Sequence, residues 1–326
     1  MPAVNSKIVQ ADYNNIRNKI VTVLGNGSGN FGYGQQTSIV STAVAEGQKV
    51  TINEWANLRL DIINAYKHIN GSNPVTAVVA EGNTIRYTGS FTPDTGTLDA
   101  PQNQYDVWAN DITNTRFTVA GGESGTTAAV SASRTGSWIT QSSCTITFSF
   151  PTANEARYFF NSGGQIRISS SRSGGVTSNQ NTAWTTLLSS AGTQGFGGGN
   201  PGTGTSPSNG LNWYRVTDAF QTYYTATSSS PYGSNNWQLQ SRCTGGVTNN
   251  STGTALSGEI RVLWNDGYVD PATGPHSPST IPPEDFVNGT LTVSASVLFA
   301  TGIMVPSSTI FTVTNPTVAV GVVTGS

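Results

Sequence analysis

The order of apolar and polar positions changes character near residue 73. Before it, apolar residues recur at helical spacing. Tyr13, Ile16, Ile20 and the pair Val23/Leu24 form one stripe, which stops at Gly25. A second stripe, Trp55, Leu58, Ile62 and Ala65, follows a capping box of Thr51 and Glu54 and closes at Asn70-Gly71. Residues 1–72 are therefore expected to form a small helical module. Each helix is too short to stand alone, so its apolar stripe needs a partner.

After Asn73-Pro74 the period falls to two. VTAVVA (75–80), TIRYTGS (84–90) and TRFTVAG (115–121) read as strands, making 73–140 a β-rich connecting region. SCTITFSF (143–150) alternates most cleanly, with Cys144, Ile146, Phe148 and Phe150 on one side. Pro151 ends it, and Thr152 with Glu155 then caps a short helix, ANEARYFF. QIRISSS (165–171) returns as a strand. A second short helix is expected at 182–190, with Asn181 as cap and Trp184, Leu187 and Leu188 turned inward. Residues 192–210 are too rich in Gly and Pro for a regular element. NWYRVT, FQTYYTAT, NWQLQSR, EIRVLWND, TLTVSASVLFA and TIFTVTN complete the set of short strands within a 141–314 domain. The apolar tail 315–326 would add an edge strand or dock on a neighbour. The fold class that follows is mainly β with minor α: a helical module, then a β-sandwich or barrel-like region with two short helices laid against one face.

Composition narrows the function classes. Only 10% of the 326 residues are charged and the net charge is -2, with no basic run to meet phosphates, so nucleic acid is not an expected partner. The start, MPAVNSKIVQADYNN, lacks the apolar core of a secretory signal, and no stretch is long and apolar enough to span a membrane. Cys144 and Cys243 could form one bridge; without a secretory signal, two buried reduced thiols are the expectation.

Four sets of residues raise chemistry. Gly27, Gly29 and Gly32 match G-x-G-x-x-G, but a helix precedes them where a dinucleotide loop needs a strand, so a connector or assembly contact is the reading. His68 lies in the last turn of the second helix, where a base meets the helix dipole favourably, and His276 lies in a proline-bounded loop. Neither completes a hydrolase triad, and the two Cys and two His match no zinc spacing. Asp266, Asp270, Glu284 and Asp285 crowd one region and read first as turn formers. Asp266 and Asp270 are also calcium candidates, and a carboxylate pair there could do the acid–base work of a glycosidase. Trp213, Tyr214, Tyr223, Tyr224, Tyr232 and Trp237 cluster within a short span. Alternating aromatics are more often core than surface, yet sugars stack on aromatic faces. Tyr232, in SSSPYGSNN, is the best exposed candidate and Trp237 its companion in a glycan contact.

Four stretches, taken together and in order, carry a resemblance. ADYNNIRNKIVTVLGNGSGNFGYGQ (11–35), ARYFFNSGGQIRISSSRSGG (156–175), AFQTYYTATSSSPYGSNNWQLQSR (219–242) and EDFVNGTLTVSASVLFATG (284–302) resemble virion structural proteins of tailed bacteriophages, including those of cyanobacteria and other marine bacteria. The resemblance implies a tail, fibre or neck-associated component, assembled in the host cytoplasm and located in the virion. It brings no catalytic residue and no cofactor. On this reading the chain is a non-enzymatic homo-oligomer, trimer or higher, that binds other virion proteins. Its helical stripes, Tyr13, Ile16, Ile20, Trp55, Leu58 and Ile62, would be the assembly contacts. The alternatives are a capsid decoration protein and, from another class, a host-glycan adhesin or depolymerase.

Overall fold

The computed structural model describes residues 10–74, 101–199, 211–244, 254–269, 286–304 and 309–325. The strands expected at 75–80 and 84–90, together with Asp270, His276, Glu284 and Asp285, lie outside the described residues. The fold is mainly β, with antiparallel sheets and five helices among the described residues. The chain divides into two compact units that interleave in sequence. One comprises the chain up to Gly125 with Arg157–Gly164 and Phe299–Thr314; the other comprises Thr126–Ala156, Gln165–Leu298 and the stretch from Asn315 on. The helical module is thus not a separate 1–72 domain.

The first unit holds α1 (Gln10–Leu24), α2 (Ile52–Asn70) and α3 (Pro101–Thr115). α2 begins where the Thr51 N–H donates to the Glu54 carboxylate at 2.8 Å. It ends at Gly71, whose φ of 76° lets its N–H return to Lys67 O at 2.7 Å. α3 replaces what was expected to be β-rich sequence. Tyr105, Ala109 and Ile112, with Trp108 beside them, stand at helical spacing behind a proline in the first turn. The strand expected at 115–121 is instead the end of α3, a turn and a single 3-10 turn over Gly121–Glu123.

The helical stripes are consumed inside the unit. Tyr13, Ile16, Ile20, Trp55, Leu58 and Ile62 are each no more than 2% exposed. They pack with Tyr105, Ala109 and Ile112 of α3 and with Ala300, Met304 and Phe311, which arrive from far along the chain. Tyr13 meets Trp55 edge-on at 5.4 Å, and Trp55 meets Tyr105 at 5.5 Å. Each fully buried side chain of this kind contributes about 2 kcal/mol, so the stripes are core and not an assembly seam. That corrects the expectation of oligomerisation through these six residues.

The second unit is a β-sandwich. Its strands in chain order are β2 (Val130–Thr135), β3 (Gln141–Ser149), β4 (Gln165–Ser173), β5 (Gln194–Gly197), β6 (Gln221–Thr227), β7 (Asn236–Thr244), β8 (Ser257–Asn265), β9 (Thr290–Ala300), β12 (Thr317–Val320) and β13 (Thr324–Gly325). One sheet runs β12-β3-β8-β7-β6, with β13 also on β3. The other has β4 between β5 and β9, and both β2 and the short β1 (Ser124–Thr126) pair with β9. A two-stranded ribbon, β10 (Ile303–Met304) with β11 (Thr309–Ile310), belongs to the first unit.

The tail joins β3 as an edge strand, with Val318 opposite Phe148. β5 forms inside the stretch read as a loop, and NWYRVT is a turn that buries Trp213 and Tyr214 in place of a strand. TIFTVTN is strand only over Thr309–Ile310. α4 (Ala153–Asn161) starts where the Glu155 N–H donates to Thr152 Oγ1 at 3.2 Å. α5 (Asn179–Ala191) is capped by Ser178, whose hydroxyl accepts from the Asn181 N–H at 3.1 Å, so the cap sits three residues before the expected Asn181. α5 touches β4 and also β6 and β7 of the facing sheet, so it does not lie on one face.

Inward positions of the two sheets meet through aromatic rings. Phe148 lies 6.3 Å from Phe196 and 5.8 Å from Trp213, and Phe196 lies 5.2 Å from Tyr223. Phe148 is paired across the sheet with Gly258 of β8. A Cβ at Gly258 would stand 2.5 Å from the end of the Phe148 ring and 3.0 Å from Arg242 O, so only glycine leaves room for that ring. We expect Gly258→Ala to lower unfolding stability by about 1–3 kcal/mol through overpacking. Urea denaturation would test it, and an unchanged midpoint would contradict this account of the core.

Candidate functional site

The glycine loop is built as an internal joint. α1 precedes it, and a 3-10 turn over Gln36–Ser38 and then extended chain follow. Gly27, Gly29 and Gly32 have φ of 48°, 58° and 98°, conformations that other residues rarely adopt. The loop turns four carbonyls toward side chains of distant segments, while the N–H groups of Phe31, Tyr33 and Gly34 bond the nearby carbonyls of Ser28, Val23 and Gly25. Arg157 donates to Gly29 O at 3.2 Å and to Asn26 O at 3.1 Å; Asn161 donates to Gly32 O at 3.0 Å; Arg116 donates to Asn30 O at 2.9 Å. A phosphate cradle requires the opposite polarity, with N–H groups converging on an anion. The geometry therefore holds guanidinium groups and no dinucleotide.

His68 also departs from expectation. It is buried, its Nε2 lies 2.9 Å from Ser162 O as donor, and its ring stacks on Phe311 at 4.4 Å. Tyr33 stands 5.0 Å away. Burial pushes its pKa down to about 4, outweighing the bond to Ser162, so the side chain is neutral and does not act as a cation on the helix dipole. Because the folded pKa lies below the unfolded value of about 6.5, this group's contribution is fully present above that value and is lost as pH falls toward 4. We expect wild type to lose on the order of 3 kcal/mol more than His68→Gln between pH 7.5 and 4, measured by urea denaturation of both proteins.

The aromatic cluster is core. Trp213, Tyr214 and Tyr223 are buried, Trp237 is 0% exposed and Tyr232 is 8% exposed. Tyr224 alone of the six is half-buried, and its ring meets Trp237 edge-on at 5.6 Å. Tyr232 is covered because its turn folds back, with its ring 4.6 Å from Tyr268. Neither Tyr232 nor Trp237 presents a free face to a sugar, which corrects the glycan-contact expectation. Trp237→Ala is expected to cost about 3–5 kcal/mol of stability, read by thermal unfolding. A folded, equally stable variant would contradict this placement.

Asp266 is likewise not a surface calcium ligand. It is buried at the end of β8, and its Oδ1 accepts from Gln180 Nε2 of α5 at 2.7 Å. Trp184, Asn235 and the Tyr268 N–H are its other neighbours. N–H donors converge on this carboxylate, whereas calcium demands several further oxygen ligands. Among the described residues no cluster of three or more His, Cys, Asp or Glu could hold a metal ion. No disulfide joins Cys144 and Cys243; both are buried thiols, and burial lifts Cys144 to about 11.

The outer faces of the sandwich present ordered rows of hydroxyls and amides, with charges gathered at Arg242, Glu259 and Arg261 on one of them. On one sheet Ser131 bonds Ser294 at 2.7 Å, Ser133 bonds Thr292 at 2.9 Å and Thr135 bonds Thr290 at 2.9 Å. Ser169, Ser171 and Ser173 of β4 continue these rows. On the other sheet Gln141 donates to Asn265 at 2.7 Å and Asn265 to Asn236 at 2.8 Å. Arg261 donates to Gln240 at 2.9 Å and Arg242 pairs with Glu259 at 2.8 Å, while both guanidiniums stack on Phe220. Period-two Ser/Thr and Asn/Gln positions foreshadow these rows, although their pairing partners could not be read from spacing.

Comparison with known proteins returns no match to a family model, a curated protein or a solved structure. No helix among the described residues is long and apolar enough to cross a membrane.

Proposed function

We propose that the chain is a non-enzymatic structural component of a tailed-phage virion, associated with tail, fibre or neck. The resemblance of four ordered stretches motivates the assignment. The observation that carries it in the fold is the pair of sandwich faces built from mutually bonded hydroxyls and amides. Such faces hold few free charges, so contacts made through them depend little on salt, which suits a particle exposed to changing ionic strength. With the helical stripes buried, copies and neighbouring virion proteins meet through these polar faces and not through an apolar seam. The burial of Tyr232 and Trp237 removes the feature that favoured a glycan adhesin.

Quantitative mass spectrometry of purified particles, with immunogold labelling of intact virions, tests the reading. The chain is expected at a defined copy number per particle, with gold on the tail, its fibres or the neck. Its absence from purified particles would overturn the assignment, and gold confined to the head would make it a decoration protein.

A further inference from the structure

We propose that Asp266 is a proton-operated latch that fastens α5 and the 228–236 turn to the end of β8 and loosens both when its carboxyl ionises. Two connections meet at this residue and a third is made by the two residues that follow it. The Asp266 N–H donates to Thr140 O at 2.8 Å, fixing the end of β8 beside the chain entering β3. Its Oδ1 takes the Gln180 bond from the first turn of α5. Asn235 closes the third, since its Oδ1 accepts from the N–H groups of Gly267 at 2.9 Å and Tyr268 at 2.8 Å. Asn235 also holds its own turn, donating to Tyr232 O and accepting from the Ser228 N–H, both at 2.9 Å.

The surroundings favour a neutral acid. Asp266 is 5% exposed, and Gln180, Asn235 and Trp184 are each wholly buried. α5 presents Gln180 and Trp184, the turn presents Asn235, and the segment after β8 presents Tyr268, whose phenol ring packs on Tyr232. Among the described residues no Lys, Arg or His and no second carboxylate is a charged neighbour of Asp266. The Trp184 and Asn235 N–H groups bias the carboxyl toward its anion, yet Asp266 Oδ2, Trp184 Nε1 and Asn235 Nδ2 close no hydrogen bond of good geometry. A buried anion without a cation or full hydrogen bonding is costly. Gln180 carries a donor and an acceptor on one head group, so it suits a neutral carboxyl as well as a charged one.

Desolvation dominates, lifting the Asp266 pKa to about 7. The folded pKa thus lies above the unfolded value of about 3.9, and the latch is fully closed below that pH. Its contribution is lost as pH rises toward 7 and is flat above. This response is opposite in sign to that of His68, which resides in the other unit.

Hydrogen exchange of the full chain, followed by mass spectrometry and corrected for the intrinsic pH dependence of exchange, provides the test. Protection of peptides from 179–191 and 228–236 is expected to fall about thirtyfold between pH 5.5 and 8.5 in wild type. In Asp266→Asn, which keeps the shape without the charge, it is expected to stay flat. Unchanged protection in wild type, or the same fall in Asp266→Asn, would overturn the proposal. Should the variant not fold, the carboxyl carbon resonance of Asp266 in wild type decides: a titration midpoint near 7 supports the latch and one below 5 rejects it.

Discussion

The sandwich depends on the seating of Phe148 against Gly258. That ring stands where the two sheets face each other, touching Phe196 from one sheet and Trp213 from the turn that caps it. β3 and β8 pair in a continuous ladder from Gln141 to Ser149, and the end of the Phe148 ring rests on the bare backbone of Gly258 within it. Inward positions of the neighbouring strands are then filled by Ile146, Ile260, Val262, Leu239 and Trp237, all essentially unexposed. With the interior so apolar, outward positions need only satisfy one another. Rows of Ser, Thr, Asn and Gln do so, and the chain reaches a stable surface with few charges.

In the helical unit the corresponding constraint is polar. Asp61, wholly buried on α2, accepts from the N–H groups of Val40 at 3.1 Å and Ser41 at 2.9 Å. Arg17 of α1 donates to Ser41 O at 3.1 Å through two nitrogens. The extended strand-like segment between α1 and α2 is therefore clamped on both sides, and the apolar stripes of the helices close beneath it. The glycine loop is held in the same manner, with its carbonyls committed to Arg157, Asn161 and Arg116. These carbonyls are spent on holding the loop to the rest of its unit.

The two units carry buried titratable groups of opposite response. His68 is kept neutral by desolvation and favours folding at higher pH; Asp266 is kept neutral by the same cause and favours folding at lower pH. Both follow from one principle, that a low-dielectric interior rejects charge, applied to a base and to an acid. Asp61 on α2 is pushed up by the same desolvation, so the helical unit carries an acid of the Asp266 kind as well as His68.

Local order was legible from residue spacing. The helical stripes of α1 and α2, the capping box at Thr51 and the strands β3, β4, β6, β7, β8 and β9 follow from repeats of 3.6 and 2, which neighbouring residues impose on one another. α3 was also written in the chain, in Tyr105, Ala109 and Ile112, but the surrounding turn-rich sequence masked it. What covers each surface was not legible, because it rests on distant partners: Arg157 reaches Gly29 across 128 residues, and His68 reaches Ser162 across 94. Periodicity tells which face of an element is apolar and says nothing of whether another copy or the same chain will bury it. For this protein tertiary packing decided that the stripes are core, that Tyr232 and Trp237 are covered, and that among the described residues no cation stands beside Asp266. Burial and charge are set by everything that surrounds a residue in space, whereas spacing records only what lies beside it in the chain.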